Sequence, residues 1–217
     1  IWWIGFSQLT FSRVPDIRTD KPKNKNILTE GYRELLKVWN EVRKERMTKL
    51  FLLAFFFYNM GVQTVMYLAA TFGAKELKLK DSELILTVLI INLVAIGGAY
   101  MFAFLSKKKG NKYSLMTMVF IWIFICLGAY FVYNSIEFFI LAFVVGLVMG
   151  GIQSLSRSTF AKLIPESTID HASYFSFYDV TYNLSIVVGT FSYALIDQIT
   201  NSMRNSTLAL MLFFMVG

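Results

Sequence analysis

The sequence is poor in the residue types on which most enzymatic and metal-binding sites depend. It contains one cysteine, Cys126, and one histidine, His171, among 217 residues. A single cysteine excludes a disulfide framework and any CxxC metal site within the chain, and a single histidine excludes a multi-histidine metal site. The sequence also lacks the GxxxxGK[ST] loop of ATPases and the HExxH motif of zinc proteases. We therefore expect no catalytic site, cofactor or metal in this chain.

Charged residues are absent from three long stretches of the chain. The ranges 50–74, 84–106 and 113–136 contain no Asp, Glu, Lys or Arg. Two further apolar runs carry one charge each, Arg157 at the end of the first and Asp179 within the second. Because about 20 apolar residues span the hydrocarbon core of a bilayer, these runs are long enough for transmembrane helices. They argue against a water-soluble all-α fold, whose helices would alternate apolar and polar faces.

The apolar runs predict an all-α membrane protein with a six-transmembrane-helix bundle. The predicted helices are A (49–73), B (83–105), C (113–134), D (137–163), E (172–196) and F (205 onward, truncated). Residues 1–12 are interpreted as the end of a preceding transmembrane helix, and residues 13–48 as a cytoplasmic linker. The bundle is expected to occupy 49–217. Because the chain does not begin with Met, we interpret it as a fragment that is cut within two helices.

Positive charges are distributed unevenly between the two ends of the predicted helices. Of the 21 Lys and Arg residues, all but Lys75, Lys78, Lys80 and Arg204 fall in the linker, the B–C loop or the D–E side. Cytoplasmic loops of membrane proteins are enriched in Lys and Arg, so we expect these segments to lie in the cytoplasm. The net charge of +7 is then a consequence of topology and does not indicate nucleic-acid binding.

The linker is predicted to have two parts. Residues 13–28 contain Pro15 and Pro22 among Asn and Lys residues, which indicates an extended tether. Residues 29–47 predict an amphipathic helix whose apolar face is formed by Tyr32, Leu35, Leu36, Trp39 and Val42. A basic amphipathic helix next to a membrane span either lies at the lipid interface or serves as a solvated connector between two bundles. The sequence leaves both alternatives open.

Four predicted helices carry Asn, Gln or charged side chains at membrane depth, whereas helix C carries none. Such groups avoid lipid and face the bundle interior or a water-filled cavity. We therefore predict that helices A, B, D and E line a solute cavity and that helix C faces lipid, with Trp122 and Cys126 pointing away from the polar surface. The alternative is that single Asn and Gln residues only join helices by hydrogen bonds. The candidate cavity residues are Tyr58, Asn59, Gln63, Asn92, Gln153, Tyr182 and Asn183.

The charges of helices D and E fall at matching depths. Arg157 lies 7 residues before Ile164, and Asp179 lies 7 residues after Ala172. Because antiparallel helices rise 1.5 Å per residue, both charges are expected about 10 Å from the D–E loop, where they can pair. We take them as gating or coupling candidates. Alternatively, Arg157 extends to lipid phosphates and Asp179 binds a neighbouring Ser or Tyr hydroxyl group. A separate hypothesis is that Asp179 carries the coupling proton.

Small residues recur at four-residue spacing in two of the predicted helices. Gly146 and Gly150 form a GxxxG pattern in helix D, and helix B has alanines at this spacing beside Gly97 and Gly98. Faces of this kind allow two helices to cross closely, so the pattern predicts tight helix packing at these positions.

Three stretches carry a family resemblance. They are YNMGVQT at 58–64, GLVMGGIQSLSRSTFAKLIP at 146–165 and FSFYDV at 175–180. Together they resemble the vacuole effluxer (autophagy-related permease) family of the major facilitator superfamily, whose bacterial members are uncharacterised permeases. The resemblance implies that the bundle is the C-terminal half of a 12-helix major facilitator fold. The B–C loop takes the place of that fold's D-R-x-G-R-type motif, with Lys107 where the acid would stand; alternatively, its lysines bind anionic lipid headgroups.

The resemblance also implies a function. It implies a secondary active transporter that moves a small polar solute by alternating access, in contact with membrane lipids. Because fungal members of the family export amino acids from the vacuole, amino acids are candidate substrates, and the proton is the candidate coupling ion. The expected location is a bacterial inner membrane, or a vacuolar membrane in a eukaryote. A channel, a non-transporting membrane protein and a membrane-embedded enzyme are the alternatives; no ion-conducting filter loop or catalytic cluster supports them.

Overall fold

The structure is a computed structural model that describes residues 7–8, 27–165, 168 and 171–217. Over these residues the chain forms helices joined by short connections and contains no strand, which confirms the all-α fold class. The helices are α1 (Ile27–Lys44), α2 (Arg46–Glu76), α3 (Asp81–Lys109), α4 (Asn111–Tyr130), α5 (Ser135–Leu163), α6 (His171–Thr200) and α7 (Met203–Val216). Helices α2 to α7 correspond to the predicted helices A to F.

The bundle helices have the length and composition of membrane spans. Helices α2, α3, α4 and α5 are each long and apolar enough to cross a membrane. Helix α6 has 30 residues, which is long enough for a span, but it is not among these four helices. Helix α7 is a shorter apolar helix. The chain is therefore an integral membrane protein, as its uncharged runs predicted.

The chain divides into two compact units, Ile1–Glu34 and Leu35–Gly217. In the first unit the structure describes residues 7–8 and 27–34, which are helical. The predicted helix end at 1–12 and the tether at 13–28 otherwise lie outside the described residues, so both stay predictions. The second unit contains the remainder of α1 and all of the bundle.

The second part of α1 packs against the bundle. Val38 and Val42 are buried, and the Trp39 ring lies 5.9 Å from the ring of Phe177 between centroids. The hydroxyl group of Tyr174 on α6 donates a hydrogen bond of 2.8 Å to Glu41. This part of α1 is therefore an element of the folded unit, which argues against a purely solvated connector.

Helices α3 and α5 pack along each other at close range. A Cβ atom built on Gly146 would lie 2.8 Å from the carbonyl oxygen of Ile91, and one on Gly98 would overlap the backbone of Leu147. Backbones can approach this closely only where no side chain intervenes. The close packing predicted from the small residues is thus present between these two helices.

Helix α4 packs against α5 and α7. Trp122 and Cys126 are fully buried, and the Trp122 ring is stacked on Phe214 of α7 at 5.6 Å between centroids. The prediction that helix C faces lipid therefore holds for Phe120 and Phe124, which form the exposed face of α4, but not for Trp122 and Cys126, which point into the bundle. The physical reason is that lipid and the bundle interior are both apolar, so composition does not distinguish the two faces of such a helix.

Candidate functional site

A partly open polar cleft lies between α2, α5 and α6. Its volume is about 170 Å³, below the ~300–1,000 Å³ typical of pockets for drug-sized ligands. Phe55, Val62 and Ile152 provide its apolar lining. Its polar lining consists of Tyr58, Asn59, Gln153, Ser156, Arg157, Tyr178, Asp179 and Tyr182. The cleft therefore brings together six of the nine residues that the sequence singled out.

Arg157 and Asp179 face each other on the cleft lining. Arg157 Nη2 lies 3.7 Å from Asp179 Oδ1, and the side chains are 59% and 51% exposed respectively. The guanidinium also lies over the Phe175 ring, 5.5 Å from its centroid. The pairing expected from the helix register is thus present. Ion pairs with this exposure contribute only about 0–1 kcal/mol to stability, so both charges are available to a ligand.

A buried hydrogen-bond chain joins α2 to α6 behind the cleft. Asn59 Nδ2 donates to Ser185 Oγ at 2.6 Å, and Gln63 Nε2 donates to Asn59 Oδ1 at 3.3 Å. Both amide side chains are only 4% exposed. Asn59 lines the cleft and also joins two helices, whereas Gln63 lies behind it and does not line it. The cavity and hydrogen-bonding interpretations therefore both hold for Asn59.

A second buried contact joins α2 to α5. The hydroxyl group of Tyr58 lies 2.7 Å from Ser156 Oγ. Because the Ser156 hydroxyl donates to the carbonyl oxygen of Ile152, Tyr58 is left as the donor to Ser156. Tyr58 is almost wholly buried and Ser156 is 1% exposed, so this contact is shielded from water. It fixes the positions of both residues on the cleft lining.

Tyr178 lines the cleft although it is not among the residues predicted from the sequence. Its ring is 5% exposed and is stacked on Phe55 at 4.4 Å between centroids. It also lies 5.1 Å from the Phe160 ring centroid, so three helices meet around it. A signal was available, since Tyr174, Tyr178 and Tyr182 recur every four residues around Asp179. Ser156 was also left out of the candidates, although it precedes Arg157 in the chain.

Asn92 and Asn183 do not line the cleft. Asn92 is exposed on α3 and donates to the carbonyl oxygen of Val88 at 2.8 Å. Asn183 is exposed on α6 and donates to that of Asp179 at 2.7 Å. Because a helical Asn can satisfy its amide on the carbonyl four residues earlier, its presence in an apolar run does not require a cavity. Within the described residues, α3 contributes nothing to the lining.

The described part of the chain offers no cluster of metal ligands. No group of three or more His, Cys, Asp and Glu side chains in it could hold a metal ion. The cleft carries opposite charges, amide and hydroxyl groups and aromatic rings, which can bind a small polar molecule by charge-assisted and neutral hydrogen bonds.

The chain is similar in sequence to a family of known membrane proteins. Residues 1–217 match the sequence model of the family described as "Vacuole effluxer Atg22 like". The chain is 30% identical over 217 residues to the "Uncharacterized MFS-type transporter YxiO" of Bacillus subtilis, covering 100% of this chain and 50% of that protein. It is 27% identical over 204 residues to "Autophagy-related protein 22" of Saccharomyces cerevisiae, covering 89% of this chain and 38% of the relative. The chain thus spans half or less of the length of these relatives.

Proposed function

Because this chain belongs to the Vacuole effluxer Atg22 like family, we propose that it forms one wall of the solute path in a secondary transporter that works by alternating access. The observation that carries the proposal is the polar cleft with its exposed pair of opposite charges. The Bacillus subtilis relative is described as an MFS-type transporter, which supports this class of activity. Since the chain covers half of that relative, a second wall from the rest of the protein is part of the proposal.

The charges of the cleft match a zwitterionic solute. A carboxylate can accept two hydrogen bonds from the planar guanidinium of Arg157, and an ammonium group can donate to the carboxylate of Asp179. Phe55, Tyr178 and Ile152 add an apolar surface for a short side chain. We therefore propose an amino acid as the substrate.

The Arg157–Asp179 pair also links solute binding to the relative movement of two helices. Arg157 lies on α5 and Asp179 on α6, so a solute that binds between them must separate the two charges. The contact that joins these helices is then replaced by contacts to the solute, which alters the relative stability of the two access states. Asp179 is the one carboxylate on the described lining of the cleft, which makes it our candidate for a coupling proton.

The proposal is tested by solute counterflow in liposomes that contain the intact protein. Liposomes loaded with unlabelled amino acids should take up the labelled amino acid, and protein-free liposomes should not. Unlabelled amino acid should compete, whereas the corresponding amine, which lacks the carboxylate, and the N-acetyl derivative, which lacks the ammonium group, should not. Equal competition by either analogue would reject the zwitterion, and absence of counterflow for every amino acid would reject this substrate class.

Coupling is measured in the same liposomes with and without a pH gradient. A proton-coupled transporter should accumulate the labelled solute above equilibrium only when the gradient is present. Accumulation that is independent of the gradient would remove the proton from the proposal. The higher identity to the bacterial relative supports a bacterial plasma membrane as the location.

A further inference from the structure

We propose that the turn between α3 and α4 binds the phosphate-bearing headgroup of an anionic lipid in the cytoplasmic leaflet. The turn carries Lys107, Lys108, Lys109 and Lys112, and all four side chains are exposed. Its residues are separate from those that line the polar cleft. The site thus has its own ligand and does not depend on the identity of the transported solute.

Among the residues that the structure describes, no acidic side chain neutralises the positive charge of the turn. The sequence contains no Asp or Glu between Glu83 and Glu137. Helix α4 therefore has no acidic side chain, and α3 has acidic side chains only in its first turn, at the end far from the lysines. Within the described part of the chain, none of these lysines forms an ion pair. Four ammonium groups within six residues therefore repel one another unless an anion binds between them.

Hydrogen bonds hold the backbone of the turn in a fixed shape. Gly110 has a φ of +87°, which permits the abrupt change of direction between the two helices. Ser106 Oγ donates to Asn111 Oδ1 at 2.6 Å, and Asn111 Nδ2 donates to Thr159 Oγ1 at 3.0 Å. Lys162 Nζ also donates to Asn111 Oδ1, at 3.2 Å. The network ties the turn to α5 and brings a fifth lysine beside it.

Aromatic side chains place the ammonium groups at the level of lipid headgroups. Lys108 Nζ lies 4.4 Å from the ring centroid of Phe104, and Lys109 Nζ lies 4.7 Å from that of Tyr113. Both rings are exposed, at 60% and 48% respectively, on helices apolar enough to span a membrane. Exposed aromatic rings at the end of a span lie at the membrane interface, and lysine side chains there extend toward the headgroups.

This arrangement favours a lipid over a free anion. Phosphate groups of the headgroup can accept hydrogen bonds from the lysines, while the acyl chains contact the exposed apolar surface of α3 and α4. A soluble phosphate would make only the first set of contacts. Each basic residue close to an anionic membrane surface raises affinity by about fivefold, so removal of three lysines should weaken binding by about a hundredfold.

The test counts lipids that remain bound to the intact purified protein in native mass spectrometry. The protein is titrated with phosphatidylglycerol and, in parallel, with phosphatidylethanolamine as the zwitterionic comparison. The variant is K107Q/K108Q/K109Q. Its matched control is K75Q/K78Q/K80Q, which removes three exposed lysines at the connection between α2 and α3. This connection lies at the end of α3 that is far from the turn. All substitutions are at exposed positions, and size-exclusion profiles equal to that of the wild type establish that both variants are folded.

We expect the turn variant to lose about a hundredfold in affinity for phosphatidylglycerol and the control variant to retain its affinity. Binding of phosphatidylethanolamine should be weaker and similar in all three proteins. Glycerol 3-phosphate, the soluble headgroup fragment, should displace the lipid poorly; full displacement at millimolar concentration would identify a free-anion site and overturn the proposal. Unchanged phosphatidylglycerol binding in the turn variant, or an equal loss in the control, would also overturn it.

Discussion

At the residue scale, the ion pair and the tyrosine–serine hydrogen bond of the cleft differ in length and in exposure to water. The Arg157–Asp179 pair spans 3.7 Å and is more than half exposed. The Tyr58–Ser156 hydrogen bond spans 2.7 Å and is buried. Water competes for the first contact and not for the second, so the ion pair can be separated by a solute while the buried bond keeps the cleft in shape.

The first prediction concerns the ion pair. Asp179→Asn and Arg157→Gln should each lower solute exchange by about tenfold or more, because each removes a charge-assisted hydrogen bond to the solute. The double change Arg157→Asp with Asp179→Arg should recover part of the loss, since opposite charges still face each other. Exchange in liposomes that contain the intact protein is the measurement. Asp197→Asn, on the same helix but outside the cleft lining, is the control and should exchange normally.

The outcomes of this experiment separate the roles of the pair. Asp179→Asn protein that exchanges solute normally but fails to accumulate it against a gradient would assign Asp179 to proton coupling. Recovery by the charge swap would assign the pair to gating or solute binding. Full activity of Asp179→Asn, in both exchange and accumulation, would contradict every role proposed for this carboxylate.

The second prediction concerns the buried hydroxyl group of Tyr58. Tyr58→Phe should lower the free energy of unfolding by about 1 kcal/mol, because the buried hydrogen bond to Ser156 is lost without a change in ring packing. Tyr100→Phe removes a hydroxyl group from a ring that is 78% exposed and should have almost no effect. Both are compared with wild type by denaturation in detergent. Equal stability of the two variants would show that the Tyr58 hydroxyl group contributes nothing.

At the element scale, the contact between α3 and α5 depends on the absence of side chains at particular positions. Gly97 and Gly98 are neighbours on α3 with opposite surroundings. A Cβ atom on Gly98 would collide with the backbone of Leu147, whereas one on Gly97 would meet nothing within 4 Å. The collision involves backbone atoms, which cannot move aside as a flexible side chain can.

The third prediction uses this pair of glycines as its own control. Gly98→Ala should lower the free energy of unfolding by about 1–3 kcal/mol, the range for added volume in a packed core. Gly97→Ala should be neutral or slightly stabilising, because Ala favours the helix and has free space there. The two variants differ only in which of two adjacent residues receives the methyl group. Equal unfolding curves in an SDS titration would contradict the packing of α3 on α5.

The sequence correctly predicted the features that depend on the thickness of the membrane or on the geometry of the α-helix. Span length follows from bilayer thickness, and the Arg157–Asp179 contact follows from equal distances to one loop. The inward face of Trp122 and Cys126 could not be predicted, because burial and lipid exposure favour the same residues. Asn92 was misjudged because its amide is satisfied by its own helix. Tyr178 was missed because a single aromatic ring in an apolar run usually reflects packing; only its four-residue spacing with Tyr174 and Tyr182 around Asp179 indicates the site.

At the scale of the whole molecule, the two ends of the bundle are held differently. Arg204 at the start of α7 donates to Glu76 at 3.2 Å and to the carbonyl oxygen of Tyr130 at 2.7 Å. The Arg204 and Glu76 side chains are only 16% and 26% exposed, so this contact ties α2, α4 and α7 together largely out of water. The Arg157–Asp179 pair near the other end is longer and more exposed. Helix separation should therefore cost less at the Arg157 end, which we expect to be cytoplasmic.

The final prediction tests this orientation. Lys75 in the last turn of α2 and Lys108 in the last turn of α3 are both exposed, and only α3 lies between them along the chain. If α3 crosses the membrane once, the two positions lie on opposite faces, and the excess of Lys and Arg places Lys108 in the cytoplasm.

Cysteine labelling measures the side on which each position lies. Cys126 is buried with 0% exposure and should not react with the label, provided that any cysteine elsewhere in the intact protein is replaced. In intact cells a membrane-impermeant maleimide should label Lys75→Cys and should label Lys108→Cys only after the membrane is permeabilised. Lys112→Cys, on the same turn as Lys108, should behave as Lys108→Cys does. The reverse pattern would invert the topology, and labelling of Lys75→Cys and Lys108→Cys from the same side would mean that α3 does not span the membrane.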